Sequence, residues 1–242
     1  MLKFKQLNIS VGKRGLFSVD DIELSSGIIA LVGRNGAGKS TLLRTIMGLH
    51  TNYSGTILWN EKPLKNYSQK ELAKEIAIVY SNSQVFGSHS GKDVLMLGRL
   101  PYQNAFAKIT KEDDEKVNTI IASLQISSFV NRIYSTLSDG EKQLIMIGRA
   151  LVQDTDIILL DEPNAFLDLV NRHSVMQILN KIAKTTNKLI LFSTHEISFL
   201  PDLCKAVLLI ESNKIKLLTS KSQFVAEIEK SFGIDTLSNY EV

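Results

Sequence analysis

Residues Gly27–Thr41 read GIIALVGRNGAGKST. The first half, GIIALVG, is a short continuous apolar run ended by glycine, which suits a strand buried on both faces in a parallel sheet. The second half, Gly33 to Thr41, fits the pattern G-x-x-x-x-G-K-[ST]. Beyond it, STLLRTIMGL places apolar residues at helical spacing and meets Gly48. Strand, glycine-rich loop and helix in that order are the context the pattern needs. Glycines let successive backbone N–H groups fold into a nest that faces phosphate oxygens, and the start of the following helix adds partial positive charge. Gly33, Arg34, Asn35, Gly36, Ala37, Gly38, Lys39, Ser40 and Thr41 are therefore candidate phosphate-binding residues. Lys39 supplies a mobile cation for β- and γ-phosphates, and the Ser40 hydroxyl is a candidate Mg²⁺ ligand.

Working outward, strand texture comes first. KFKQLNIS alternates apolar and polar residues, and so does SGTILWN, where Ile57 and Trp59 should share a face. From Gln84 to Asp154 helical patterns take over: KDVLMLGRL, stopped near Pro101; KEDDEKVNTIIASLQI, with acids in its first turn where the helix dipole favours them; and a third opened by SDGEKQ. Then DIILLDEP, LVNRHSVMQILNKIAKTT, KLILFSTHE and AVLLIESNKI read as strand, helix, strand, strand. The alternation predicts a parallel α/β core. The expected layout is one domain over 1–242. Residues 1–83 and 155–220 form the nucleotide-binding core, 84–154 a helical insert, and 221–242 a tail.

IILLDEP ends an apolar run in two carboxylates. In open α/β sheets ligands sit beyond the carboxyl ends of strands, so Asp161 and Glu162 are expected beside the phosphate loop. Successive strand residues point to opposite faces, which gives the two acids different tasks. Asp161 is the candidate for the Mg²⁺ shell and Glu162 for polarising an attacking water.

Bulk composition sets limits. The 242 residues are 44% apolar and 22% charged, with a net charge of +3. These are ordinary globular values, and no long basic run predicts a nucleic-acid partner. The single cysteine, Cys204, excludes a disulfide framework within the chain and fits a reducing compartment. The N-terminus lacks the apolar core of a signal peptide. No stretch approaches the roughly 18 apolar residues of a membrane span, so a role at a membrane would be peripheral, through a partner.

STLSDGEKQL, Ser135–Leu144, carries Ser138 three residues before Glu141, the S-x-x-E of a capping box. A capped helix start with Gly140 also presents N–H groups that suit an anion. Taken with GRNGAGKST, ILLDEP, the pair Leu167–Asp168 and His195 in STHE, this stretch falls in the order and spacing of the ATP-binding cassette ATPases, which the chain resembles over nearly its whole length. LSDGE is similar to that family's LSGGQ signature, with Asp139 and Glu141 in place of a glycine and a glutamine. The resemblance implies an α/β fold of P-loop NTPase (RecA-like) type, with a parallel-sheet core, an N-terminal antiparallel β subdomain and a helical insert carrying the signature. It implies ATP and Mg²⁺ as cofactors and a second copy of the chain as partner, in a head-to-tail dimer. Ser138 and Gly140 would then contact the γ-phosphate across the dimer. Asp168 would link the two sites, and His195, at the end of KLILFST, would sense the γ-phosphate. Lys39, Glu162 and His195 become the catalytic set, with Ser40, Asp161 and Ser81 at the metal.

Three departures from the family's pattern stand out. Its glutamine at the entrance to the insert falls by count on Ser81, with Gln84 three residues on; Ser81 in a water-mediated role is preferred. The aromatic that stacks on adenine falls near Val11, so either Phe17 covers the base or adenine is held loosely. Asp139 and Glu141 add negative charge near a phosphate, which Lys142, Arg149 or a partner residue would offset.

A lone cassette without membrane spans, a second cassette or coiled coils matches a motor serving a separate permease. GRLPYQN, Gly98–Asn104, resembles the insert of the ATPases for uptake of ferric siderophores, haem and vitamin B12, where insert and entry loop receive a helix of the permease. The expectation is an importer ATPase at the cytoplasmic face of the membrane, working indirectly with a substrate-binding protein, for an iron complex, haem or cobalamin alike. The alternative is a nucleotide-binding regulatory cassette with weak hydrolysis. A guanine-specific GTPase is disfavoured, because NKLI and NKIK lack the aspartate of N-K-x-D.

Overall fold

The computed structural model describes residues 1–81, 85, 87–103, 109–164, 167 and 169–233, without the side chains of 169–171. In it GIIALVG forms β4 (Gly27–Gly33), buried from Ile28 onward. Parallel neighbours flank it on both edges. β9 (Leu189–Thr194) pairs from Gly27↔Leu189 to Val32↔Thr194, and β10 (Ala206–Glu211) from Ala206↔Ile29 to Ile210↔Gly33. A strand so enclosed meets no water, which is why its sequence does not alternate.

The chain forms two compact units, Met1–Asn66 with Leu189–Val242, and Tyr67–Lys188. The first holds β1 (Leu2–Val11), β2 (Arg14–Val19), β3 (Ile22–Leu24), β4, α1 (Lys39–Ile46), β5 (Tyr53–Trp59), β6 (Lys62–Pro63), β9, α7 (Leu200–Leu203), β10, β11 (Lys214–Leu218) and α8 (Lys221–Phe232). Its strands lie in the order β6–β5–β1–β2–β11–β10–β4–β9, with β3 also on β1. Around β1 the pairing is antiparallel, and around β4 it is parallel. The alternation in KFKQLNIS buries Leu2, Phe4, Leu7 and Ile9. In β5, Ile57, Leu58 and Trp59 are all buried, so the strand end is covered on both faces.

The pattern AVLLIESNKI predicts one strand. The chain instead turns back at Ser212 and Asn213, with φ of 47° and 60°, so that β10 and β11 form a hairpin. Two successive left-handed residues match the twist of a tight hairpin. The tail includes α8, whose Phe224 and Ile228 are fully buried and which packs on α7, β10 and β11.

The second unit contains α2 (Gln69–Glu75), β7 (Ile76–Val79), α3 (Gly91–Met96), α4 (Lys111–Leu124), α5 (Asp139–Val152), β8 (Ile157–Leu160) and α6 (Leu169–Thr185). β7 and β8 are parallel, from Ile76↔Ile157 to Val79↔Leu160. The units divide at 66/67 and 188/189, which groups β7 and β8 with the helices of 84–154. Helix α3 ends at Met96, and the chain continues as a 3-10 turn over Leu97–Tyr102 that takes in Pro101. Arg99, in that turn, is buried. It donates to Asp113 at 2.7 Å and to the Val152 carbonyl at 3.1 Å, joining the turn to α4 and to the end of α5.

Candidate nucleotide site

The first unit carries the phosphate loop. Gly36 and Gly38 take φ of 75° and 100°, values that side-chain-bearing residues rarely adopt. A Cβ on Gly38 would also lie 2.7 Å from Phe17 Cε1 and 3.0 Å from Leu16 Cδ1, so the loop can fold over β2 only with glycine there. Helices α2, α3, α4 and α5 each open with a capping box, from Ser68, Ser90, Thr110 and Ser138. Helix α1 opens instead from Gly38 with no side-chain cap, which leaves its first N–H groups for an anion.

Lys39 is buried and folds back into the loop. Its Nζ donates to the Gly33 carbonyl at 3.0 Å and reaches the Arg34 carbonyl at 3.5 Å. Its third near neighbour is His195 Nδ1, at 3.5 Å. Strand register explains the meeting. β9 ends at Thr194 opposite Val32, so the next residue, His195, falls level with the start of the loop. His195 is exposed there, within reach of whatever Lys39 holds.

The second unit carries the acids. The Asp161 N–H donates to the Val79 carbonyl at 2.8 Å, extending the β7–β8 ladder by one residue, and its side chain is buried. Glu162 is half-buried with φ of 49°, a left-handed conformation that costs a non-glycine residue about 1–3 kcal/mol and clusters at functional sites. Asn164, two residues on, is buried, and neither atom of its amide has a hydrogen-bond partner among the described residues. The sequence reading passed over Asn164, since only its orphaned amide marks it. Ser81 lies half-buried two residues past β7. Gln84 and Asp168 lie outside the described residues.

At α5 the Ser138 Oγ accepts from the Glu141 N–H at 3.3 Å, and the Glu141 carboxylate accepts from the Ser138 N–H at 2.8 Å. Ser138 and Asp139 are exposed, and Gly140 is buried. Arg132, which the sequence did not single out, pairs with Glu141 at 3.0 Å, while Lys142 approaches Asp139 at 3.5 Å. The Ser138 N–H above all, with the Ser138 hydroxyl and Arg132 adding to it, holds the Glu141 carboxyl below its ordinary value against the opposing effect of burial. Arg149 does not share in this. It donates to the Ile78 carbonyl at 3.0 Å, and burial lowers its pKa.

Of the two alternatives for the base, the one that has Phe17 cover it is corrected. Phe17 is buried beneath Gly38 and offers no free ring face, and Val11 is exposed at the end of β1.

The donor set fits a nucleoside triphosphate with Mg²⁺. An uncapped helix start, a lysine in the nest and the Ser40 hydroxyl suit phosphate and its ion. Among the described residues no group of three His, Cys, Asp or Glu side chains could hold a metal by protein ligands alone. Mg²⁺ binds through one or two protein ligands together with substrate phosphates.

Phosphate binding by backbone at a strand-to-helix turn, on this α/β fold, places the chain among the P-loop nucleoside triphosphatases. Comparison with known proteins narrows the class. Residues 21–165 match the ABC transporter family model, and the chain belongs to that family as a transporter ATPase. It is 30% identical over 198 residues to the iron(3+)-hydroxamate import ATP-binding protein FhuC of Bacillus subtilis, spanning 81% of this chain and 74% of that one. It is 28% identical over 236 residues to the ferric enterobactin transport ATP-binding protein FepC of Escherichia coli, spanning 96% and 87%. Among solved structures, an inward-facing metal-chelate type ABC transporter superposes with a TM-score of 0.82 at 26% identity, covering 96% of this chain and 88% of that one. Among the described residues no helix is long and apolar enough to cross a membrane.

Proposed function

We propose that the chain is the ATP-hydrolysing motor of an importer for an iron complex, haem or cobalamin, acting on a separate permease from the cytoplasmic face. The observation that carries this reading is the pairing of a loop built for triphosphate with sequence relatives that serve iron-siderophore import. Residues 33–41 hold the phosphates, with Lys39 turning from its own carbonyls to the β- and γ-oxygens. Ser40, Asp161 and Ser81 would hold Mg²⁺. When bound, the ion neutralises charge that builds on the phosphates. Glu162 accepts the proton of the attacking water, and His195, already against Lys39, registers the γ-phosphate. Ser138 and Gly140 act on the nucleotide of a second copy, and Asp168 links the two copies.

The exposed Leu97, Leu100 and Tyr102, all on the 3-10 turn of the insert, suit an apolar permease helix. A binding protein would deliver the cargo to that permease.

Glu162→Gln tests the catalytic assignment. It should lower steady-state hydrolysis by about 10² to 10⁴ and trap an ATP-bound dimer. Full turnover in that variant removes Glu162 from the role. The exposed Asp139, a valine at position 11 and the burial of Phe17 favour a second reading, a regulatory cassette that binds nucleotide and hydrolyses it slowly. Brisk turnover measured beside nucleotide affinity excludes it.

A further inference from the structure

The phosphate loop has a second open side. Between β2, the loop, the β10–β11 turn and the end of α8 lies a cavity of about 330 Å³. Its lining comes from Arg14 and Leu16 of β2, Arg34, Gly36 and Ala37 of the loop, Glu211, Ser212 and Asn213 at the hairpin turn, and Ser231 of α8. The volume is at the small end of ligand pockets, enough for a base and its ribose.

Its walls are chemically uneven. Arg34 is engaged, donating to the Phe232 carbonyl at 2.9 Å. Glu211 is engaged by Lys216 and by Ser231. Arg14 is exposed, and among the described residues its side chain makes no hydrogen bond or ion pair. A flat guanidinium without a partner stands beside the apolar Leu16 on the strand that touches the loop at Gly38.

We propose that this cavity seats the nucleoside of the triphosphate, with the Arg14 guanidinium stacked on the base in place of an aromatic ring. The inference rests on the reading that the loop holds a nucleoside triphosphate. The cavity shares the Gly36–Ala37 wall with the phosphate nest, so one molecule can occupy both. Phe17 is unavailable and Val11 cannot stack, whereas a guanidinium plane lies flat on a base much as it does on an aromatic face. An ionised Glu211 in the lining can accept from ribose hydroxyls, as an acid does in dinucleotide folds. Stacking does not read a base edge, so purines should be poorly told apart.

The test uses the full chain and two probes, ATP and inorganic tripolyphosphate, with Mg²⁺ present and affinities measured by calorimetry. ATP should bind more tightly than tripolyphosphate. Arg14→Ala should weaken ATP by about fivefold to tenfold and leave tripolyphosphate within twofold. Arg14→Lys keeps the charge but loses the plane, and should resemble the alanine variant. Unchanged ATP affinity in both variants overturns the proposal. So does an equal loss for tripolyphosphate, or full rescue by lysine, because either makes Arg14 only a charge near phosphate. If neither probe binds the wild-type chain, the phosphate-loop reading itself fails, an outcome distinct from the failure of the Arg14 seat.

Discussion

Two glycines in one loop face different demands. At Gly36 a Cβ would meet open space, and only the backbone, at φ of 75°, resists a side chain. At Gly38 the backbone resists as strongly and Phe17 blocks the space as well. Left-handed backbone costs an L-residue about 1–2 kcal/mol, and forcing atoms into a packed contact adds about 1–3 kcal/mol. Gly36→Ala should therefore destabilise by about 1–2 kcal/mol and Gly38→Ala by about 2–5 kcal/mol, read by chemical denaturation. Equal losses would mean that Phe17 moves aside freely. The phosphate loop was legible in the sequence because its pattern states a backbone requirement directly. The contact behind Gly38 was not, since nothing in NISVGKRGLF shows that Phe17 turns under the loop. Cys204 adds a further expectation at this scale. Burial pushes its thiol up to about 12, so the folded protein should resist alkylation at pH 8 and react only on unfolding.

Among the elements, α5 joins stability to the signature. Its cap ties Ser138 and Glu141 to each other and Glu141 to Arg132, so the residues that would face a second copy are held in place by local bonds. Ser138→Ala should cost about 1 kcal/mol. The Glu141 carboxyl is held below its ordinary 4.5 in the folded chain. A lowered carboxyl pKa adds stability that is full above the unfolded value and is lost as pH falls through the folded one. The stability difference between wild type and Glu141→Gln should thus be largest near pH 7 and shrink below about pH 4.5. A difference that stays constant on acidification would mean that charge has no part in the cap. This helix was legible because S-x-x-E declares a cap before an apolar run. The β10–β11 hairpin was not, because SNK lacks the glycine that usually marks such a turn. Helix α2 was missed because seven residues are too few to show a helical period, although Ser68 and Glu71 form a capping box there.

At the scale of the whole molecule, the proposed dimer makes each site depend on two copies. A phosphate loop from one copy meets a signature from the other in an isologous interface, so two-fold symmetry repeats the contact at both sites. Ser138→Arg should then abolish nucleotide-driven pairing and turnover while sparing the binding of ATP to the monomer, because residues 33–41 are intact. Lys39→Ala should weaken binding at its own loop, since Lys39 is the cation inside the nest. Neither variant alone should turn over. Mixed in equal amounts, they should recover activity. In a mixed pair one site combines both defects, while the other joins an intact loop to an intact signature. Since neither variant pairs with itself, the dimers that form are mixed, and each has one of two sites intact, so independent sites would restore up to about half of wild-type turnover. If both sites must fire together, the mixture stays silent while mixed pairs still form on a sizing column with ATP. A mixture that stays silent and forms no pairs at all would leave loop and signature in one copy and end the shared-site model.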